Sequence, residues 1–417
     1  MVVDALSLPR PGYPPPGMRL VPRPGATDCR ARVRPLLLAA VVAAAVAACG
    51  STTVPAPSPS ASAAAVDPAG SAIPATVPPA SIPTPVPTPV PTPVPTPALA
   101  VAPLTGRLVA PELAARRPIA VMVDDHWAAR PQSGFTEASI VWQAPAEGGI
   151  PRYMMIFAEG DPPSVGPVRS ARLYFVQWAA EWGAVYVHVG GSPGAIAILR
   201  EKGQGQLVYD ADEFRWGGTY LWRTADRFSP HNVYSDGERL RELAGRVGAA
   251  PLDATEPAWQ FAPDPALALR PAGARLEVAY TEGAFSYRYD RRSNTWRRYV
   301  NGEIQRDRAN DRVVAPKNVV VMEVAFGLLG TGQKGRLEAA NIGKGPAWIG
   351  TNGTIVRGTW KKTSAGNPTR FFDRAGKPIT LTQGQTFVQV MPAGTPVKVV
   401  NGALVLDPAE VANRGIL

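Results

Sequence analysis

A proline repeat limits which part of this 417-residue chain can form a packed core. The stretch "PTPVPTPVPTPVPTP" begins at Pro83, within a segment over 51–104 that is rich in Ser, Thr, Ala, Val and Pro and has no aromatic residue. Such a sequence favours an extended polyproline-II chain of about 3.1 Å per residue rather than a buried core. We therefore predict a tether over residues 49–104 and a globular part after it.

A hydrophobic segment before the tether has the features of a secretion signal. Residues 30–48 read "RARVRPLLLAAVVAAAVAA", and the apolar run is shorter than the roughly 20 residues that span a bilayer. The run ends in Val46-Ala47-Ala48-Cys49, the pattern of a bacterial lipobox. We predict a lipoprotein signal over 1–48 and a lipid on Cys49 that anchors the chain to the outer face of the cytoplasmic membrane. The alternative is an ordinary signal with an incidental cysteine, and either Met1 or Met18 could be the initiator.

Cysteine number and charge exclude several classes of site. The other cysteine, Cys29, precedes the predicted cleavage point, so the mature chain has no disulfide, thiol nucleophile or cysteine-ligated metal. Six of the 43 basic and two of the 33 acidic residues precede Cys49, which leaves a net charge of +6. Dispersed positive charge suits anionic envelope polymers or lipid headgroups, and we expect no nucleic-acid partner and no cofactor.

Residues 105–251 alternate between strand and helix signals. Continuous apolar runs at 117–125, 138–149, 152–160 and 184–191 predict buried strands. Ser170 is a candidate N-cap for a helix, and Ser192 with Pro193 predicts the start of a second helix that ends at Gly203. The first helix has an apolar stripe of Ala171, Tyr174, Phe175, Trp178 and Trp182. We predict an α/β N-terminal domain with a mixed sheet.

Residues 252–417 have a different pattern. The stretch "ARLEVAYTEGAFSYRYDRRSNTWRRYVNGEI" alternates apolar and polar residues between turn signals at 282–283, 293–294 and 301–302. Four further strand-like segments follow, and helix signals are scarce. We predict a mostly antiparallel β C-terminal domain.

Four ordered blocks resemble a known family. They are "PIAVMVDDHWAARPQSGFTEASIVWQAPAEGGIPRYMMIF", "GPVRSARLYF", "VYVHVGGSP" and "DRFSPHNVYS". These blocks, with "KNVVV" and "GQTFV" further on, are similar to the YerB-like bacterial lipoproteins over roughly residues 107–395. The resemblance implies an envelope lipoprotein with an N-terminal domain and a smaller β-rich C-terminal domain, and it implies no particular activity.

Polar side chains follow several of the predicted strands, where α/β sheets collect ligands. A Gly-Gly-Ser-Pro turn before a helix and two nearby arginines could together bind a phosphate or carboxylate. The helical periodicity places Arg172 off the apolar stripe, so we expect Arg172 to face a cleft and Arg169 to form a structural ion pair. The candidate ligand-binding residues are Arg130, Glu147, Arg169, Arg172, His188, Gly190, Gly191, Ser192, His231 and Asn232.

Structural roles for the same residues stay open. His188 alternates within "VYVHV" and could be a satisfied core histidine, and the arginines could pair with Asp124 or Glu147. The glycines could simply allow close packing of strand and helix. We predict no metal site, because His126, His188 and His231 lack the close spacing of ligand pairs.

We expect a binding or regulatory module for a cell-envelope component, either a wall polymer or a wall-synthesis protein. The alternative is a hydrolase or lyase acting on wall glycan. Its candidate acid–base residues are Glu147, Asp124, His188 and His231. The segment "GGSPG" has the spacing of a nucleophile elbow, but Pro193 lacks the N–H that would stabilise an oxyanion.

Overall fold

The computed structural model describes residues 98–253, 257–330 and 334–405. The predicted signal, Cys49 and nearly all of the predicted tether lie outside the described residues. Within the described ranges, no helix is long and apolar enough to cross a membrane.

The part of the chain before residue 252 contains short strands and five α-helices among its described residues. The strands are β1 (Ala100–Val101), β2 (Leu108–Val109), β3 (Ile119–Asp124), β4 (Ile140–Pro145), β5 (Pro151–Phe157), β6 (Val185–His188), β7 (Tyr209–Asp212), β8 (Trp222–Arg223) and β9 (Val233–Tyr234). The helices are α1 (Pro111–Ala114), α2 (Leu173–Ala179), α3 (Pro193–Leu199), α4 (Glu213–Trp216) and α5 (Gly237–Arg246).

The described residues after 252 form strands and one 3₁₀ turn, Leu267–Leu269. The strands are β10 (Gln260–Ala262), β11 (Arg275–Tyr280), β12 (Gly283–Asp290), β13 (Thr295–Val300), β14 (Glu303–Ile304), β15 (Asn318–Val324), β16 (Phe326–Leu328), β17 (Leu337–Ala339), β18 (Gly343–Thr351), β19 (Thr354–Lys362), β20 (Arg370–Phe372), β21 (Thr380–Thr382), β22 (Thr386–Pro392) and β23 (Lys398–Val400).

One mixed sheet takes strands from both parts of the chain. Its order is β20-β19-β18-β15-β22-β4-β5-β3-β6-β7, and β22 pairs in parallel with β4 at the point where the two parts meet. A second, five-stranded sheet has the order β14-β13-β12-β11-β23 and is antiparallel. The predicted combination of a mixed sheet and antiparallel β structure is confirmed in outline, and the large sheet continues across the predicted boundary at residue 252.

The central strands of the large sheet are buried on both faces. Trp142 of β4 belongs to a core that contains α2 and α3, whereas its neighbour Val141 belongs to a core on the opposite face with Leu276 and Tyr287 of the five-stranded sheet. Strands buried on both faces are apolar at consecutive positions, which is why β3, β4 and β5 read as continuous apolar runs. Trp142 stacks on Trp178 of α2 with ring centroids 4.8 Å apart.

The start of α2 differs from the prediction. The helix begins at Leu173 with Arg172 at the N-cap position, so the expected N-cap Ser170 was wrong. Extended backbone persists to this point because the Ala171 N–H donates to the Gly190 carbonyl and the Ala171 carbonyl accepts from Ser192. The predicted apolar stripe is buried throughout, at Ala171, Tyr174, Phe175, Trp178 and Trp182. The second helix begins at Pro193, as predicted, but ends at Leu199.

The folded part begins before residue 105. Ala102 and Leu104 are fully buried, and β1 pairs with β2. Thr105 lies just before β2, and its side chain donates a hydrogen bond to Glu159. Residues from about Ala100 onward therefore belong to the fold rather than to the predicted tether.

Candidate functional site

A cavity of about 540 Å³ lies beyond the strand ends of the large sheet, where β3 and β4 end and β5 begins. The loop before α2, the loop between β8 and β9, and the hairpin of β16 and β17 complete its walls. We call it the cationic pocket. It is lined by Asp124, His126, Ala146, Glu147, Ile150, Arg152, Arg169, Ser170, Arg172, His231, Lys334 and Arg336.

Five basic side chains and two carboxylates line the cationic pocket, together with two histidines. Antiparallel pairing of β5 with β3 and β4 brings the start of β5 beside the ends of its neighbours. This pairing places Arg152 next to the loops that hold Asp124 and Glu147. The excess of positive over negative charge makes an anionic ligand the best match for the pocket.

Glu147 lies within ion-pair distance of three arginines. Arg172 donates from Nη2 to Oε1 of Glu147, Nη2 of Arg152 lies 3.1 Å from Oε2, and Nε of Arg336 lies 3.9 Å from Oε1. Burial lowers the pKa of Arg172 to about 10, and the charge of Arg336 contributes to the shift. Burial likewise lowers the pKa of Arg152. Three guanidinium groups therefore converge on one carboxylate.

Asp124 forms a second cluster. Its Oδ2 lies 3.0 Å from Nε of Arg169 and 2.7 Å from Nδ1 of His231. Asp124 is 3% exposed, and burial lowers the pKa of Arg169 despite the nearby carboxylate. The ring of His126 stacks on that of His231 with centroids 5.1 Å apart, and its Nδ1 accepts from the Ala128 N–H. With Nδ1 of His231 directed at the carboxylate, Nε2 remains for contact with a ligand.

Five of the predicted residues line this one pocket. Arg169 forms the expected ion pair and Arg172 has the expected position in the pocket wall, but Arg169 also lines the pocket and Arg172 is also ion-paired, so the two arginines do not divide these roles. Asp124, Glu147 and His231 join them.

His188 lies elsewhere in the fold. It is fully buried in β6, with Nε2 2.8 Å from Oδ1 of Asp210 and Nδ1 2.8 Å from the Gly190 carbonyl oxygen. The Gly190 N–H donates to Asp212 at 2.8 Å. These contacts connect β6 to β7, and none of the three predicted residues of the glycine turn lines the cationic pocket.

The other predicted residues make local contacts. A Cβ on Gly191 would lie 3.0 Å from that of Ala171, so the glycine permits close approach of two segments. Ser192 is buried, and its backbone N–H donates a hydrogen bond to the Ala171 carbonyl. Asn232 accepts from Arg223 at 3.2 Å. Arg130 pairs with the buried Asp125 at 2.8 Å and lines a neighbouring pocket.

Sequence reasoning missed Arg152, Lys334 and Arg336. Arg152 is the first residue of the run predicted over 152–160, and a charged side chain at the start of a buried strand was a usable signal. Lys334 and Arg336 lie between β16 and β17, far along the chain, and no local pattern connects them to β3 or β4. In the described part of the chain, no group of three or more His, Cys, Asp or Glu residues is suited to hold a metal ion.

Comparisons with known proteins cover most of the described residues. Two family models match, "Protein of unknown function (DUF3048) N-terminal domain" over residues 104–250 and the corresponding C-terminal domain over 276–388. A Bacillus subtilis protein named "Putative lipoprotein YerB" is 31% identical over 297 residues, which cover 70% of this chain and 86% of that protein. The chain belongs to the YerB family.

The crystal structure of the YerB protein from Bacillus subtilis shares this fold. It aligns with a TM-score of 0.64 at 28% identity and covers 72% of this chain and 100% of the YerB chain. The family resemblance expected from the ordered sequence blocks is confirmed.

Proposed function

We propose that this protein is a lipoprotein anchored through Cys49 to the outer face of the cytoplasmic membrane, and that its globular part binds an anionic group of an envelope component. The lipobox-like sequence and the name of the Bacillus subtilis relative support the anchor. The partner is a wall polymer or an envelope protein that presents phosphate or carboxylate.

The observation that supports anion binding is the pair of buried guanidinium groups around Glu147. Arg172 and Arg152 are 5% and 8% exposed, and burial lowers the pKa of both. A guanidinium group forms paired hydrogen bonds to phosphate or carboxylate oxygens, and these bonds are strong when both partners are charged. A ligand anion in this pocket would stabilise the charged form of these buried guanidinium groups.

Calorimetric titration of the mature protein in detergent with inorganic phosphate and sulfate tests the proposal, alongside pull-down on purified wall material. Arg172→Gln should weaken phosphate binding by tenfold or more, because charged hydrogen bonds contribute roughly 1.5–3 kcal/mol and about 1.4 kcal/mol is a factor of ten in affinity. Arg297→Gln is the matched control, because this exposed arginine pairs with Asp290 on another sheet. Equal phosphate binding by Arg172→Gln and the parent protein would contradict the assignment.

A second candidate function rests on Asp124 and His231. A histidine oriented by a buried carboxylate is a common general base, and this pair lies in a pocket that would stabilise negative charge. The candidate reaction is cleavage of wall glycan. Release of soluble fragments from purified glycan by the parent protein, and its loss in His231→Gln, would support this function. Absence of turnover with intact phosphate binding would leave binding as the function.

A further inference from the structure

A second pocket adjoins the cationic pocket. It has a volume of about 460 Å³, and His231 lines both cavities. We call it the flanking pocket. Its lining residues are Ala128, Arg130, Pro131, Asp226, Arg227, Phe228, His231 and Arg308.

The flanking pocket is also basic. Arg227 donates to the backbone carbonyls of Ala129 and Pro131, each at 2.8 Å. These neutral acceptors fix the orientation of the guanidinium group without neutralising it. Arg308 pairs with Asp226, whose side chain is 52% exposed. Of the three arginines that line the pocket, Arg130 pairs with Asp125 and Arg308 with Asp226, whereas Arg227 is held by backbone carbonyls. Arg227 therefore supplies the positive charge that would stabilise a second anionic group there.

Exposed aromatic side chains accompany the two pockets. Trp127 is 70% exposed and lies in the chain between His126, which lines the cationic pocket, and Ala128, which lines the flanking pocket. Phe228, in the wall of the flanking pocket, is 92% exposed. An exposed indole beside two basic cavities offers an apolar surface for the part of a ligand that lies between its charges.

We propose that the two pockets form one groove for a linear polymer with repeated phosphate groups, linked by sugars or polyols whose C–H faces pack on Trp127. This inference rests on the proposed function and extends it from one anion to a repeating one. The proposed location outside the cytoplasmic membrane favours an envelope polymer of this class over a nucleic acid. Occupation of both pockets by one chain makes the second contact intramolecular and raises the affinity above that of a single anion.

The test uses the mature protein in detergent with inorganic phosphate, linear polyphosphates of increasing length and a poly(glycerol phosphate). Affinity should rise once a chain is long enough to reach both pockets. Arg227→Gln should reduce affinity for long polyphosphate about tenfold or more, while inorganic phosphate binding in the cationic pocket stays unchanged. Arg308→Gln, at a more exposed position, should act in the same direction, and Arg297→Gln should have no effect.

Trp127→Ala tests the surface between the charges. It should weaken binding of poly(glycerol phosphate) and leave binding of long polyphosphate unchanged, because polyphosphate has no C–H surface. Tighter binding of a single-stranded oligonucleotide than of poly(glycerol phosphate) would overturn the proposed polymer class.

The outcomes separate this inference from the proposed function. If both Arg227→Gln and Arg308→Gln bind long polyphosphate as the parent does, the extended groove is overturned, and phosphate binding that depends on Arg172 still stands. If the parent protein binds neither phosphate nor sulfate, the proposed function fails first.

Discussion

Nζ of Lys362 lies 2.9 Å from Oε1 of Glu181, and both side chains are fully buried. Glu181 follows α2, and Lys362 ends β19, so the ion pair connects the two parts of the chain. The N–H and hydroxyl of Thr369 also donate to Glu181. Burial raises the pKa of Glu181 and lowers that of Lys362, so each charge depends on the other for its stability.

We predict that Lys362→Met destabilises the protein by about 3–5 kcal/mol at neutral pH, because it leaves the Glu181 carboxylate buried without its cation. Urea unfolding measures the change. The double variant Glu181→Gln/Lys362→Met is the control and should lose less than Lys362→Met alone, because no charge is left unpaired. A loss below about 1 kcal/mol in Lys362→Met would show that the pair is not buried in solution.

The stability of Lys362→Met should depend on pH in a defined direction. Folding raises the pKa of Glu181 above the ordinary carboxyl value of 4.5, so the folded state binds a proton more tightly than the unfolded chain does. The stability from this proton is complete below pH 4.5 and is lost as pH rises through the pKa of Glu181 in the folded protein. Without Lys362 the folded pKa rises further. The difference in the free energy of unfolding between the parent and Lys362→Met should therefore shrink as pH falls from 7 toward 5. A difference that does not change with pH would show that the unpaired Glu181 carboxylate is not its cause.

Truncation tests where the folded part begins. Removal of residues 50–97 should leave the free energy of unfolding unchanged, whereas removal of residues 50–104 should cost about 2 kcal/mol or more, because Leu104 is fully buried in the core around α2. Leu104→Ala in the full mature chain serves as the matched comparison. Equal melting of the two truncated proteins would place the start of the fold after residue 104.

The sequence was most informative where the physical signal is local. Apolar runs located β3 to β6, because strands buried on both faces need consecutive apolar residues. The turn at Asn301 and Gly302, both with positive φ, was visible as a residue pair that tolerates left-handed backbone.

Local sequence patterns do not predict which strands pair when they are far apart in the chain. No spacing in the sequence shows that Thr386 of β22 lies opposite Ile140 of β4, although that pairing joins the two parts into one sheet. The same limit explains why Arg336 was missed while Arg169 and Arg172 were found. His188 was ambiguous because its alternation within a strand fits both a buried and a ligand-facing ring, and only its contact with Asp210 distinguishes them.

Cys49→Ala tests the predicted anchor. We expect the variant to move from the membrane fraction to the soluble fraction, because a diacylglycerol supplies two acyl chains and one chain alone gives only weak, reversible binding. Fractionation with immunoblotting measures the change, and metabolic labelling with a fatty acid should disappear in parallel. A variant that stays in the membrane fraction would indicate that residues 30–48 remain as an uncleaved anchor.

Glu147→Gln separates two roles for the carboxylate in the cationic pocket. Loss of its charge leaves the buried Arg172 and Arg152 without the carboxylate that both contact. We therefore expect the free energy of unfolding to fall by about 1–3 kcal/mol in dilute buffer, a range discounted because Glu147 is partly exposed. An anion that binds the freed arginines stabilises the folded state in proportion to its occupancy. Sulfate should therefore raise the melting temperature of Glu147→Gln more than that of the parent, whereas the exposed control Asp290→Asn should respond as the parent does. If sulfate stabilises Glu147→Gln less than the parent, Glu147 orients the arginines for the ligand rather than competing with it.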